Sequence, residues 1–258
     1  MKIKAPAVAG TFYPLDAREL AHTVETHLQQ NPCQGPAPKI LVVPHAGLIY
    51  SGPIAARGYN TVVPIRHDIQ RVVVLGPNHR VALRGIASLS ADYFATPLGN
   101  VSVDRDAIEC LLKQQLISEN DVAHRQEHCI EVQLPFLQSV LPHFKLIPLL
   151  VGQCSPLLIS SLLQALDDEH TLFVISTDLS HYQSYQQARA TDKHTLDKIL
   201  HLDSTLEGEE ACGCQALNGA LLFAQHHQYQ AELLDIRNSG DTAGDHSRVV
   251  GYASLSIH

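Results

Sequence analysis

No run of five lysines or arginines and no stretch of eighteen apolar residues occurs anywhere in these 258 residues. The first absence, with a net charge of −8, argues against duplex nucleic acid and anionic membrane surfaces as partners. The second argues against a transmembrane helix. The opening MKIKAPAVAGTFYPLD has two lysines but no apolar core of signal-peptide length, so a cytosolic protein is expected. The chain also lacks G-x-x-x-x-G-K-[ST], G-x-G-x-x-G and G-x-S-x-G, so nucleotide cradles and the serine hydrolase elbow have no support.

What is abundant is histidine, with 16 residues against 6 Phe and 8 Tyr, scattered rather than gathered into a tag. The six cysteines at 33, 110, 129, 154, 212 and 214 read as free thiols in a long chain with no export signal. Cys110, Cys129 and Cys154 lie in apolar surroundings and are expected to be buried. The spacing of Cys212 and Cys214 in "CGC" is not that of a structural zinc knuckle.

Short β-branched runs alternate with amphipathic stretches. KILVVPHAG, RVVVLGPNHR, FKLIPLLVG and TLFVISTDLSH read as buried parallel strands. Helices are expected over 17–28 behind Asp16, from Asp104 to Leu112, behind Ser155, and at about 185–201 and 212–227. EHCIEVQLPFLQSVL puts Ile130, Leu134, Leu137 and Leu141 on one helical stripe, interrupted by Pro135. The expected fold is α/β: a single domain over residues 1–258 with a largely parallel central sheet flanked by helices.

Three strands end in the same manner, with His45 after ILVVP, His79 after VVVLGPN and His181 after LFVISTDLS. The carboxyl ends of parallel strands form one rim where ligands bind, so the three can meet. Two histidines and an anionic ligand make a metal site with open positions. The anion is left open among Asp178, Glu131 and the Cys212/Cys214 pair, whose predicted helix N-terminus favours a thiolate. His128 and Glu131, one turn apart, read equally as ligands or as a solvated helix face.

AGTFYP, PHAGLIYSG, LGPNHR, EHCIEVQLPFLQ, STDLSHY, ACGCQA and VVGYASLS follow one another over almost the whole chain in the order seen in the Memo family, which the sequence resembles. The resemblance implies a fold similar to the class III extradiol ring-cleavage dioxygenases. It implies His45, His79 and Cys212 as metal ligands and His181 as the acid/base; Asp178, three residues before His181, reads from its position as a catalytic candidate or as the cap of the turn after its strand. Iron or copper is the implied cofactor, zinc the alternative, and the implied activity is that of a metal-dependent oxidoreductase. Recognition of a small molecule or peptide follows from it, as does association with AMMECR-type and radical-SAM proteins. Cysteine where the dioxygenases carry glutamate softens the site and argues against ring cleavage. Two other readings stand beside this one: a cleft that only binds a peptide or small anion, and a metal-free Cys212/His181 nucleophilic pair.

Overall fold

The computed structural model describes residues 1–258. In chain order the elements begin with β1 (Ile3–Lys4), α1 (Ala17–Gln30), β2 (Ile40–Val43), α2 (Leu48–Asn60) and β3 (Arg71–Pro77). Then come β4 (Ile86–Ser88), β5 (Tyr93–Thr96), β6 (Gly99–Ser102), α3 (Arg105–Lys113), β7 (Ser118–Glu119), α4 (Asp121–His124) and α5 (Leu134–Val140). The remainder comprises β8 (Lys145–Val151), α6 (Pro156–Leu166), β9 (Thr171–Ser176), β10 (His181–Gln183), α7 (Tyr185–Leu200), α8 (Cys214–His226), β11 (Ala231–Asn238) and β12 (Val249–Ile257).

The main sheet runs β10-β12-β2-β9-β3-β8-β4-β7, with β11 also paired to β12. Its centre, β2-β9-β3-β8, is parallel throughout. These are the four runs whose unbroken Val/Ile/Leu content marks strands covered on both faces. The alternation is visible within them: Ile40, Val42, Val73 and Leu75 enter one core cluster, and Leu41, Val43, Val72 and Val74 enter the other. The first cluster includes Ile159 and Leu163 of α6 with Leu217 and Leu221 of α8; the second includes Leu20 of α1, Tyr59 of α2 and Phe136 of α5. A small sheet, β1-β5-β6, lies apart. The short run around Val101 thus pairs in the small sheet rather than the central one.

The stretch 127–141 is broken rather than one continuous helix, as the proline in its stripe suggests. It forms a 3₁₀ turn at Glu131–Gln133 and then α5, with Pro135 in the first turn of that helix. The missing proline N–H is harmless there, because first-turn donors have no intrahelical partner. His128 therefore precedes any helix, and Glu131 is fully buried, which overturns the solvated-face reading of the pair. Cys129 is buried as expected, but Cys110 is exposed and Cys154 intermediate. The α3 face buries Ile108 and Leu111 and leaves Cys110 pointing outward.

Candidate metal centre

β2, β9 and β3 are neighbours in the sheet, so the residues just past their C-terminal ends lie side by side. His45 follows β2 by two positions, Asp178 follows β9 by two, and His79 follows β3 by two. They open onto a cleft of about 860 Å³ that His128 and His181 also line. An adjoining hollow of about 610 Å³ shares His79, His181 and Tyr182 with it and reaches Cys212.

Ligand atoms of His45, His79 and His128 all lie within 4.8 Å of one another. The sequence points to the first two; His128 joins them because the loop before the 3₁₀ turn folds over β3. Its ring stacks on that of His79, with centroids 4.8 Å apart. Cys212 lies at the edge of this cluster, its Sγ 3.4 Å from His45 Nε2. Its backbone N–H donates to Asp178 O, and the Asp178 N–H points at its sulfur at 3.3 Å. Gly213 permits this approach, because a Cβ there would stand 2.7 Å from Thr177 Cβ and 3.0 Å from Ser176 O.

The hydrogen bonds settle which nitrogen His45 offers. Ser176 Oγ donates its single proton to Cys129 O at 2.6 Å and accepts from Gln133 Nε2 at 2.8 Å. Its 3.0 Å contact with His45 Nδ1 is therefore one in which Nδ1–H is the donor. That leaves a bare Nε2 lone pair directed toward Cys212 and the cleft. Asp178 Oδ1 accepts the His45 backbone N–H at 2.8 Å, and its Oδ2 lies 4.0 Å from Nε2.

Burial pushes the His45 imidazole down to about 4; the neighbouring Asp178 opposes the shift and His79 and His128 add to it. A neutral ring is the form that ligates a metal. Burial, and then the Asp178 charge, push the Cys212 thiol up to about 12. The thiolate expected from a helix N-terminus is thus not the resting form of the metal-free site. The dipole of α8 is outweighed by desolvation and a nearby carboxylate.

Glu127 is the acidic residue that the sequence reading passed over. Burial opposes its ionisation, but hydrogen bonds from His128 and His79 and the His79 charge hold its carboxyl well below the usual range. Oε2 accepts the His79 backbone N–H at 2.7 Å, and Oε1 lies 2.9 Å from His79 Nδ1. Glu131, offered earlier as a ligand, faces away from the cleft. Its carboxylate takes Lys4 Nζ, the Ala7 and Val8 N–H groups and the Tyr13 hydroxyl. It fastens the N-terminal arm, which brings the Phe12 ring to 4.6 Å from that of His128. Cys214 is buried in the first turn of α8 among core residues and is not part of the cleft.

His181 and Asp178 line the same cleft, outside the three-histidine set. A register shift between His181 and Gln183 places Tyr182 in the left-handed region at φ 57° and leaves it exposed. Arg248 lies over the Tyr182 ring, and together with Arg80 it gives the cleft mouth two guanidinium groups.

Fold and site together define an α/β protein with a histidine-lined cleft at the C-terminal ends of its central strands. The profile of the Memo-like protein family matches residues 4–256, and the chain belongs to that family. A MEMO1 family protein of Ignicoccus hospitalis is 35% identical, covering 100% of this chain and 99% of that protein. Another, from Aquifex aeolicus, is 35% identical over 99% of both. Among solved structures, uncharacterized protein JW3007 from Escherichia coli K12 superimposes with a TM-score of 0.50 at 13% identity. It covers 83% of this chain and 98% of its own, a likeness of fold alone.

Proposed function

We propose that the protein holds a non-haem metal ion, iron or copper, on His45, His79 and Cys212 and uses it in redox chemistry on a small molecule bound in the cleft. The observation that carries this reading is the convergence of imidazole ligand atoms within 4.8 Å, with Cys212 Sγ 3.4 Å from His45 Nε2. Two donors bound to one ion at about 2.0 and 2.3 Å in tetrahedral geometry are separated by roughly 3.5 Å. The donor set suits such an ion, because imidazole and thiolate both bind iron and copper. When bound, the ion supplies electron transfer and Lewis-acid polarisation.

The chain's own residues supply the rest. His181, on the cleft wall, takes a proton from the substrate or returns one, since imidazole does both near neutral pH. Asp178 holds the His45 loop by its backbone N–H. His128 presents a further imidazole beside His79, within reach of the same ion. Elemental analysis of wild type and His45→Ala/His79→Ala protein tests the site: metal is expected in the first and absent from the second, and equal content overturns the reading. Oxygen consumption by iron- or copper-loaded protein with a reductant tests the redox part.

Arg80 and Arg248 favour a second reading, in which the cleft only binds a peptide or small anion. Calorimetry discriminates: anion binding by metal-free protein that survives His45→Ala but not Arg248→Ala supports it.

A further inference from the structure

The Glu127 carboxylate meets only donors. The His79 N–H and Nδ1 reach it at 2.7 and 2.9 Å, and the His128 and Cys129 N–H groups reach Oε1 at 2.8 and 3.3 Å. His128 Nδ1 lies 3.1 Å from the same Oε1, off the hydrogen-bond axis, and no other group bonds that nitrogen. One buried carboxylate therefore stands against the Nδ1 edges of two imidazoles that line the cleft. It is not itself one of the converging donors.

We propose that Glu127 is a positioning residue that holds both His79 and His128 as Nδ1–H tautomers and so turns their Nε2 lone pairs into the cleft. An ionised carboxylate can only accept, so the His79 Nδ1 bonded to it carries the proton, and its charge favours a proton on the adjacent His128 Nδ1 as well. The same contact orients the ring and raises the basicity of the far nitrogen, as carboxylate partners do for metal-bound histidine. Its use rests on the metal-site reading, but the tautomer assignment does not. His45 makes no bond to Glu127, its Nδ1 being held by Ser176, so it reports on the fold of the cleft when Glu127 is altered.

The test is long-range ¹H–¹⁵N correlation spectroscopy of the imidazoles in metal-free protein, with signals assigned from single His→Gln variants. Wild type is expected to show His45, His79 and His128 as Nδ1–H tautomers. In Glu127→Leu no acceptor faces either Nδ1, so His79 and His128 are expected to become tautomer mixtures while His45 is unchanged. Co(II) affinity is expected to fall by about 10- to 100-fold in that variant and to recover in part in Glu127→Asp. An Nε2–H signal for His79 or His128 in wild type overturns the proposal, and so does Glu127→Leu with wild-type tautomers. A change in His45 along with the other two also overturns it, since that signals general loosening. Expected tautomers in a wild type that binds no Co(II) uphold the positioning role and defeat the metal-site reading instead.

Discussion

Cys212 Sγ lies 3.4 Å from His45 Nε2, although 167 residues separate them along the chain. The contact joins the end of a central strand to the start of α8, and it is built from both sides. Ser176 holds the far nitrogen of the imidazole, and the Asp178 N–H points at the sulfur. A protonated thiol and a bare imidazole nitrogen at this separation form a weak hydrogen bond. With the thiol proton lost to solvent, the same two atoms would span one edge of the proposed metal site.

Thiol labelling separates that account from the Cys212/His181 nucleophile. A thiol pushed up to about 12 by burial and by Asp178 is almost wholly protonated at pH 7. In metal-free protein, iodoacetamide is expected to modify exposed Cys110 well before Cys212. Fast labelling of Cys212 near pH 7, read by peptide mass mapping, would contradict this.

Stability is expected to fall on mild acidification, in part through His124. This imidazole is 2% exposed, its Nε2 is 3.0 Å from Ala87 O, and burial pushes it down to about 4, against the smaller upward pull of that hydrogen bond. Its folded value is below the unfolded one, so the unfolded chain takes up the proton first as pH falls. The contribution is intact above about pH 6.5 and is lost progressively down to pH 4, at a cost of roughly 3 kcal/mol. His45 acts with the same sign in the metal-free protein. Urea melts at pH 7.5 and 4.5 should show a smaller drop for His124→Gln than for wild type; equal drops would refute the assignment.

Glu131→Ala is expected to cost about 3–5 kcal/mol, because it strands the buried Lys4 charge and leaves three further donors unpaired. Limited proteolysis should then cut the arm ahead of Leu20, with Phe12 released from His128. An unchanged urea midpoint and an uncut arm would show that the clasp contributes little.

Gly213→Ala places a methyl group against Thr177 and Ser176 and displaces the Cys212 loop. A loss of about 1–3 kcal/mol is expected in urea melts, together with weaker Co(II) binding. Wild-type Co(II) affinity in the folded variant would show that the loop position does not matter to the site.

The central strands were legible because a strand covered on both faces has nowhere to place a polar residue, and β2, β3, β8 and β9 read as unbroken apolar runs. β10 was not, since His181–Gln183 is a strand only by virtue of its pairing with β12. His45 and His79 stood out because each closes such a run. Glu127 did not, and His128 stood only as one of two equal readings, because charged neighbours on a helical stripe ordinarily mark a solvated face. Their burial comes from a loop that folds over the end of β3, a long-range event with no local signal. Cys212 was singled out from the other anionic candidates by family resemblance alone; spatially, it comes to His45 through its bonds to Asp178.

The most direct test of the metal-site reading is a crystal of the metal-loaded protein measured on either side of the iron or copper absorption edge. The account predicts an anomalous peak in the cleft at about 2.0–2.3 Å from His45 Nε2, His79 Nε2 and Cys212 Sγ. A peak elsewhere, or an ordered water or anion between those three atoms in protein shown to carry metal, would contradict it.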